Sequence, residues 1–249
     1  MSLEALSAFN SAVAAFNKND WAKAEKLSHK ALYADRWNAK AHEILALCCY
    51  FQNRLSDAEH AARNAIAIEK HADFFFTLGL ILSKASKHEG AAEAYQELLA
   101  LDPKSIATYN NLAYVYLNLG RRPEATELFR KATEIQPDFA IGYINLGMCL
   151  FEQRRYAEAV TALEKALSLN PLPANIAGVL AEALTELQRF DEAMAVSRSA
   201  GLWGQLQFDK RRILSWDELA EIDEQYLRTI YSQDFKPSLR HSALLKCLE

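Results

Sequence analysis

Histidines, cysteines and paired carboxylates are where a chain of this composition would do chemistry, and their spacing here builds no reactive site. The six histidines, His29, His42, His60, His71, His88 and His241, share no common interval. His42 and His241 are the two on which a site could be argued, but a packed or solvated ring is the ordinary state of a lone histidine. Cys48 and Cys49 are adjacent, and Cys149 and Cys247 stand alone. No C-x-x-C pair of the zinc type exists, and the thiols read as small buried side chains in a reducing compartment. Glu127, Glu134 and Glu158 fall on polar helical faces, where solvated carboxylates belong. The chain has no G-x-G-x-x-G, P-loop, H-E-x-x-H or G-x-S-x-G sequence. The expectation is a chain that is not an enzyme and needs no metal and no cofactor.

Binding chemistry is better represented. Asn10, Asn111 and Asn145 each carry an amide with two donors and an acceptor, which can hold a peptide backbone without reading its side chains. What positions them is a pattern written several times over. YNNLAYVYLNLG, Tyr109 to Gly120, is nearly repeated thirty-four residues later as YINLGMCLFEQR, Tyr143 to Arg154. Six registers of this pattern fit the chain: 5–38, 39–71, 72–105, 106–139, 140–173 and 174–207. Counting each register from its first residue, offset 7 holds Leu45, Leu78, Leu112, Leu146 and Leu180. Offset 8 holds Ala12, Ala46, Gly79, Ala113, Gly147 and Ala181. Offset 20 is alanine throughout, as Ala24, Ala58, Ala91, Ala125, Ala159 and Ala193, and offset 32 supplies Pro103, Pro137 and Pro171.

Each offset has a mechanical reason. Small residues at offsets 8 and 20 let the two helices of one register approach closely. Large apolar residues such as Tyr109, Leu112, Tyr116 and Phe129 fill the space around that contact. Proline at offset 32 ends the second helix, because it lacks an N–H and disfavours helix in the residue before it. Pro123 is instead placed where the first turn of a helix tolerates it. The first register departs from the pattern, with Ser11 and Ala15 at usually large positions.

A 34-residue period of two amphipathic helices with these residues resembles the tetratricopeptide repeat. The resemblance covers about four-fifths of the chain and implies an all-α solenoid, a right-handed superhelix of helix-turn-helix repeats. One hairpin cannot bury its own apolar face, so neighbours must stack. The family lines a concave groove with offsets 2, 5, 6, 9, 12 and 13 of the first helix. Carried onto this chain, the groove comprises Phe9, Asn10, Val13, Phe16, Leu47, Tyr50, Phe51, Phe76 and Leu80. It continues with Asn110, Asn111, Tyr114, Leu117, Ile144, Asn145, Met148 and Phe151. Such an apolar, aromatic-rich face suits an extended peptide, a partner helix or the chain's own C-terminal helix rather than an acidic ligand. Some of these side chains could equally serve to pack against the next repeat. Only Lys40 fits the lysine, arginine and asparagine set with which chaperone-binding relatives clamp a carboxylate.

At 249 residues, 51% hydrophobic and a net charge of -4, the chain can bury a large core but offers no basic patch for nucleic acid. MSLEALSAFN lacks the basic start of a signal peptide, and FFFTLGLIL, Phe74 to Leu82, is about half the ~18 residues a membrane helix requires. The expected protein is cytoplasmic, without membrane insertion, and able to self-associate through a free stacking surface.

The tail, 208–249, breaks the period. Ser215 and Glu218 have capping-box spacing, and Leu219, Ile222, Tyr226, Leu227, Ile230 and Tyr231 form one helical stripe, as a capping helix would. LQFDKRRILSWDELAEIDEQYLRTI also resembles the junction that follows the repeats in SPINDLY-like O-linked N-acetylglucosamine transferases, through Lys210, Arg211, Arg212, Trp216, Asp217, Pro237, Leu244 and Leu245. That resemblance implies a substrate-recognition arm without its catalytic domain. The leading expectation is a protein-interaction scaffold binding a partner segment in the groove, with Asn111 and Asn145 fixing its backbone. The alternatives are the glycosyltransferase arm and a groove that holds an apolar small molecule or lipid.

Overall fold

The computed structural model describes residues 3–201. The capping helix and the junction residues expected after 207 lie outside them, as do His241 and Cys247. Among the described residues all regular structure is helical, in six successive hairpins. These are α1 (Leu3–Phe16) with α2 (Trp21–Ala34), α3 (Ala39–Phe51) with α4 (Leu55–Ile68), and α5 (Ala72–Lys84) with α6 (His88–Leu101). There follow α7 (Ile106–Asn118) with α8 (Arg122–Ile135), α9 (Ala140–Glu152) with α10 (Tyr156–Leu169), and α11 (Ala174–Glu186) with α12 (Phe190–Ser199). The helices divide into two compact units, one ending at Gly142 and the other beginning at Tyr143.

In the first unit each hairpin packs on itself and then on the first helix of the next, α2 on α3, α4 on α5 and α6 on α7. In the second, α10 packs on α11 and α11 on α12. The small residues explain the closeness. Ala24, Ala58, Ala91, Ala125, Ala159 and Ala193 are all 0% exposed. A Cβ at Gly79 would lie 2.5 Å from Tyr95 Cε1, and one at Gly147 would lie 2.6 Å from Leu163 Cγ. Tyr95 and Leu163 therefore occupy the room that a larger residue at offset 8 would need.

The prolines act as their chemistry requires. α6, α8 and α10 end at Leu101, Ile135 and Leu169, two residues before Pro103, Pro137 and Pro171. The intervening residues, Asp102, Gln136 and Asn170, have ψ of 87°, 94° and 149°, away from helix as the residue before proline must be. Pro123 sits in the first turn of α8.

The turn between the two helices of each hairpin uses one device six times. Asn19, Asn53, Ser86, Gly120, Arg154 and Gln188 all have φ between 58° and 74°, the left-handed region. The next residue's N–H then reaches back to the helix, as in Asp20 N to Ala15 O at 3.1 Å, Lys87 N to Leu82 O at 2.9 Å and Arg121 N to Tyr116 O at 2.8 Å. This is the Schellman closure, in which glycine or asparagine is the low-strain choice. Ser86 and Gln188 adopt it at a steric penalty of roughly 1–2 kcal/mol. Because glycine loses more backbone freedom on folding, Ser86→Gly and Gln188→Gly are each expected to stabilise by a net ~0.5–1 kcal/mol. Gly120→Ala should destabilise by a comparable amount. Urea midpoints of the three variants check this, and a loss of stability in both glycine variants would contradict it.

Candidate peptide-binding face

The first helices of successive hairpins divide their side chains by job. In α7, Leu112, Ala113 and Tyr116 are buried, whereas Asn110, Asn111 and Leu117 are half-buried and Tyr114 is 45% exposed. In α3, Leu45 and Ala46 are buried, whereas Leu47 and Tyr50 are half-buried and Phe51 is 49% exposed. In α5, Leu78 and Gly79 are buried while Phe76 and Leu80 are half-buried. In α1, Phe9, Val13 and Phe16 are half-buried and Asn10 is exposed.

Several of these side chains also hold the fold. Phe9 packs against Ala8, Ala31 and Ala41, and Phe16 against Ala15, Ala24 and Cys48. In the second unit Ile144, Met148 and Phe151 pack against the cluster containing Val160, Leu163 and Leu180, and Asn145 is half-buried. There the expected groove side chains take part in a core cluster drawn from α10, α11 and α12.

Four aromatic rings of the first unit form a continuous chain. Trp21 stacks on Phe51 with centroids 4.5 Å apart, Phe16 meets Trp21 edge-on at 4.9 Å, and Tyr50 meets Phe51 edge-on at 5.3 Å. The Lys84 ammonium caps this chain, 4.4 Å from the Tyr50 ring centroid and 3.2 Å from the Tyr50 carbonyl oxygen, to which it donates. A cation over an aromatic face is attracted by the ring quadrupole. Trp21 opens α2, so sequence offsets taken from first helices alone could not include it.

The asparagines are not equivalent. Burial pushes the Tyr95 phenol up to about 12, and the side chains of Ser83 and Asn111 beside its oxygen oppose that rise. Asn111 is thus engaged by the core tyrosine of the preceding hairpin. Asn10 lies at the same offset and is exposed.

Two polar groups on this face escaped the sequence reading, Lys84 and Glu43. Glu43 occupies offset 5 of α3, the offset of Phe9 and Phe76. It is half-buried and accepts a hydrogen bond from Thr77 Oγ1 at the long distance of 3.4 Å. Burial, and then the charge of Asp73, hold its carboxyl above the usual carboxylate range. Its signal was the offset itself, which a search for large apolar side chains and amides passes over.

Cys48, Cys49 and Cys149 are buried, and burial pushes the Cys48 thiol up to about 12, far from the thiolate form a nucleophile needs. His42 faces the Arg36 carbonyl oxygen through Nε2 at 3.2 Å, and burial lowers its pKa. Together with His29 and His60 it lines a cleft of about 570 Å³ among α2, α3 and α4. Among the described residues no group of three histidine, cysteine, aspartate or glutamate side chains is placed to hold a metal ion. No helix among them is long and apolar enough to cross a membrane.

Tetratricopeptide-repeat family models match residues 104–171 and 150–207, and a further such model matches 79–120. A comparison with curated proteins gives no match. Solved structures share the architecture. PilF of Pseudomonas aeruginosa is 20% identical with a TM-score of 0.68, covering 89% of this chain and 97% of its own. A MamA protein is 23% identical with a TM-score of 0.63, covering 68% and 93%. YrrB, a tetratricopeptide-repeat protein with an unusual peptide-binding site, is 23% identical with a TM-score of 0.59, covering 67% and 87%. At these identities the likeness establishes the fold and nothing finer. Residues 79–207 thus match tetratricopeptide-repeat models, and the chain has the all-α fold of that repeat.

Proposed function

We propose that this chain is a protein-interaction scaffold that binds an extended peptide segment on the first-helix face of its first unit. One observation supports the reading above the others. On α1, α3, α5 and α7, side chains at the hairpin contact are shut away, whereas Tyr50, Phe51, Tyr114 and their neighbours keep aromatic surface open. A row of rigid amphipathic rings gives contact area at little entropic cost, the property that enriches tyrosine and tryptophan at binding interfaces. Exposed and half-exposed amides beside the rings can pair with peptide backbone. YrrB's peptide-binding site agrees in kind with this reading.

The test begins with selection of phage-displayed random heptapeptides on the full chain, followed by affinity measurement with a selected peptide. The combined variant Phe51→Ala with Tyr114→Ala should weaken that peptide about tenfold or more, the scale of a lost interface anchor. An unchanged affinity, or a selection that yields no sequence above background, would sink the proposal.

A further inference from the structure

One carboxylate on this face has no ion-pair partner among the described residues. Glu43 lies in the offset column that holds Phe9 in α1 and Phe76 in α5, so apolar rings stand at the same offset in both flanking hairpins. Its hydrogen-bond partner in the fold is Thr77, at 3.4 Å, and Thr77 is itself buried. No lysine, arginine or histidine among the described residues forms an ion pair with it. Lys40 and His71 influence it only through space, and Asp73 adds a second negative charge on the same side. His71 is engaged with Asp73, its Nδ1 3.4 Å from Asp73 Oδ2. Lys84, the other lysine on this face, is committed to the ring and carbonyl of Tyr50. Glu43 and Tyr50 are seven residues apart on α3, about 10 Å along the helix at 1.5 Å per residue.

Taking a charged group partly out of water is unfavourable unless a counter-charge meets it. Within the fold the largest influences on Glu43 are burial and a like charge, which outweigh the Thr77 hydrogen bond and hold it above the usual carboxylate range. Among the described residues no cation pairs with it, which leaves that role to whatever binds there. We infer that Glu43 is a specificity residue, and that the bound segment carries a lysine or arginine placed on it beside a large apolar side chain that meets the Tyr50–Phe51 rings. The inference rests on the binding face proposed above. It assigns that face to basic-apolar peptides and turns away acidic ones, which Glu43 and Asp73 together would repel.

The same heptapeptide selection, run in parallel on the full chain and on its Glu43→Gln variant, tests this. The wild-type chain should enrich sequences with lysine or arginine next to aromatic or aliphatic residues, and the variant should lose the basic preference while still selecting apolar peptides. For one selected peptide, Glu43→Gln and replacement of the peptide's lysine by norleucine should each weaken binding about tenfold, as for a hydrogen bond to a charged group. Both changes together should cost no more than either alone. Retained binding of apolar peptides shows that the variant is folded. Selection of apolar or acidic sequences by the wild type, with sensitivity to Phe51→Ala and Tyr114→Ala, would overturn the inference and leave the binding face standing. Selection of nothing would overturn both.

Discussion

Phe129→Ala is expected to destabilise the first unit by about 3–5 kcal/mol, the range for deleting a buried aromatic ring, and Tyr114→Ala by only about 1 kcal/mol. The two rings touch, edge to face, with centroids 5.5 Å apart at 82°. Such a pair contributes roughly 0.5–1.5 kcal/mol beyond area burial, and either substitution removes it. What differs is everything else around each ring. Phe129 is 0% exposed, so its removal leaves a cavity under the contact of α7 with α8. Tyr114 already keeps 45% of its surface in water, so less transfer free energy is lost with it. Peptide affinity should run in the opposite order, with Tyr114 the sensitive position. Chemical denaturation of both variants, with peptide titration of Tyr114→Ala, measures the two orders. Equal losses of stability would place Tyr114 among the packing residues and remove it from the binding face.

The sequence showed the architecture because packing constraints recur in it. Alanine at offset 20 and alanine or glycine at offset 8 are imposed afresh in every hairpin, so periodicity exposes them without knowledge of any contact. Prolines 103, 137 and 171 were legible for a local reason, the missing N–H. The left-handed turn position was harder to see. Its six occupants are two asparagines, a serine, a glycine, an arginine and a glutamine, a mixture whose shared backbone state has no common side-chain signature. The proposed binding face was legible as positions but not as partnerships. Offsets name Tyr50 and Phe51, yet cannot say that Trp21 from the second helix of the preceding hairpin stacks on Phe51. They name Asn111 without revealing that Tyr95 engages it. In α9 they name Ile144, Met148 and Phe151, where the structure finds packing against a core cluster of α10, α11 and α12. An offset reports the direction a side chain takes, whereas its accessibility depends on the size of the neighbour that arrives there.

The same rule gives the second large effect. Gly79→Ala should destabilise by about 1–3 kcal/mol, although alanine is the better helix former by ~0.8–1.0 kcal/mol in a helix interior. The added Cβ would stand 2.5 Å from Cε1, 2.7 Å from Cζ and 2.8 Å from Cδ1 of Tyr95, inside any normal carbon contact. Tyr95 is 1% exposed and meets Phe76 edge-on at 6.1 Å, so its ring has no free volume into which to retreat. Strain of this kind from overpacking a tight core commonly reaches ~1–3 kcal/mol, and three close contacts on an immobile ring place this site high in that range. Gly90→Ala provides the contrast. Its Cβ would meet Leu82 Cδ1 alone, at 3.3 Å, the far end of a side chain that can shift, so a near-neutral result is expected. Thermal and urea unfolding of the two variants decide between local propensity and packing. A stabilised Gly79→Ala would mean that propensity dominates and that the hairpin can open around Tyr95. Destabilisation that is partly relieved in Gly79→Ala with Tyr95→Leu, by less than additive loss, would assign the effect to the ring, and with it the reason this register carries glycine where four of the others carry alanine.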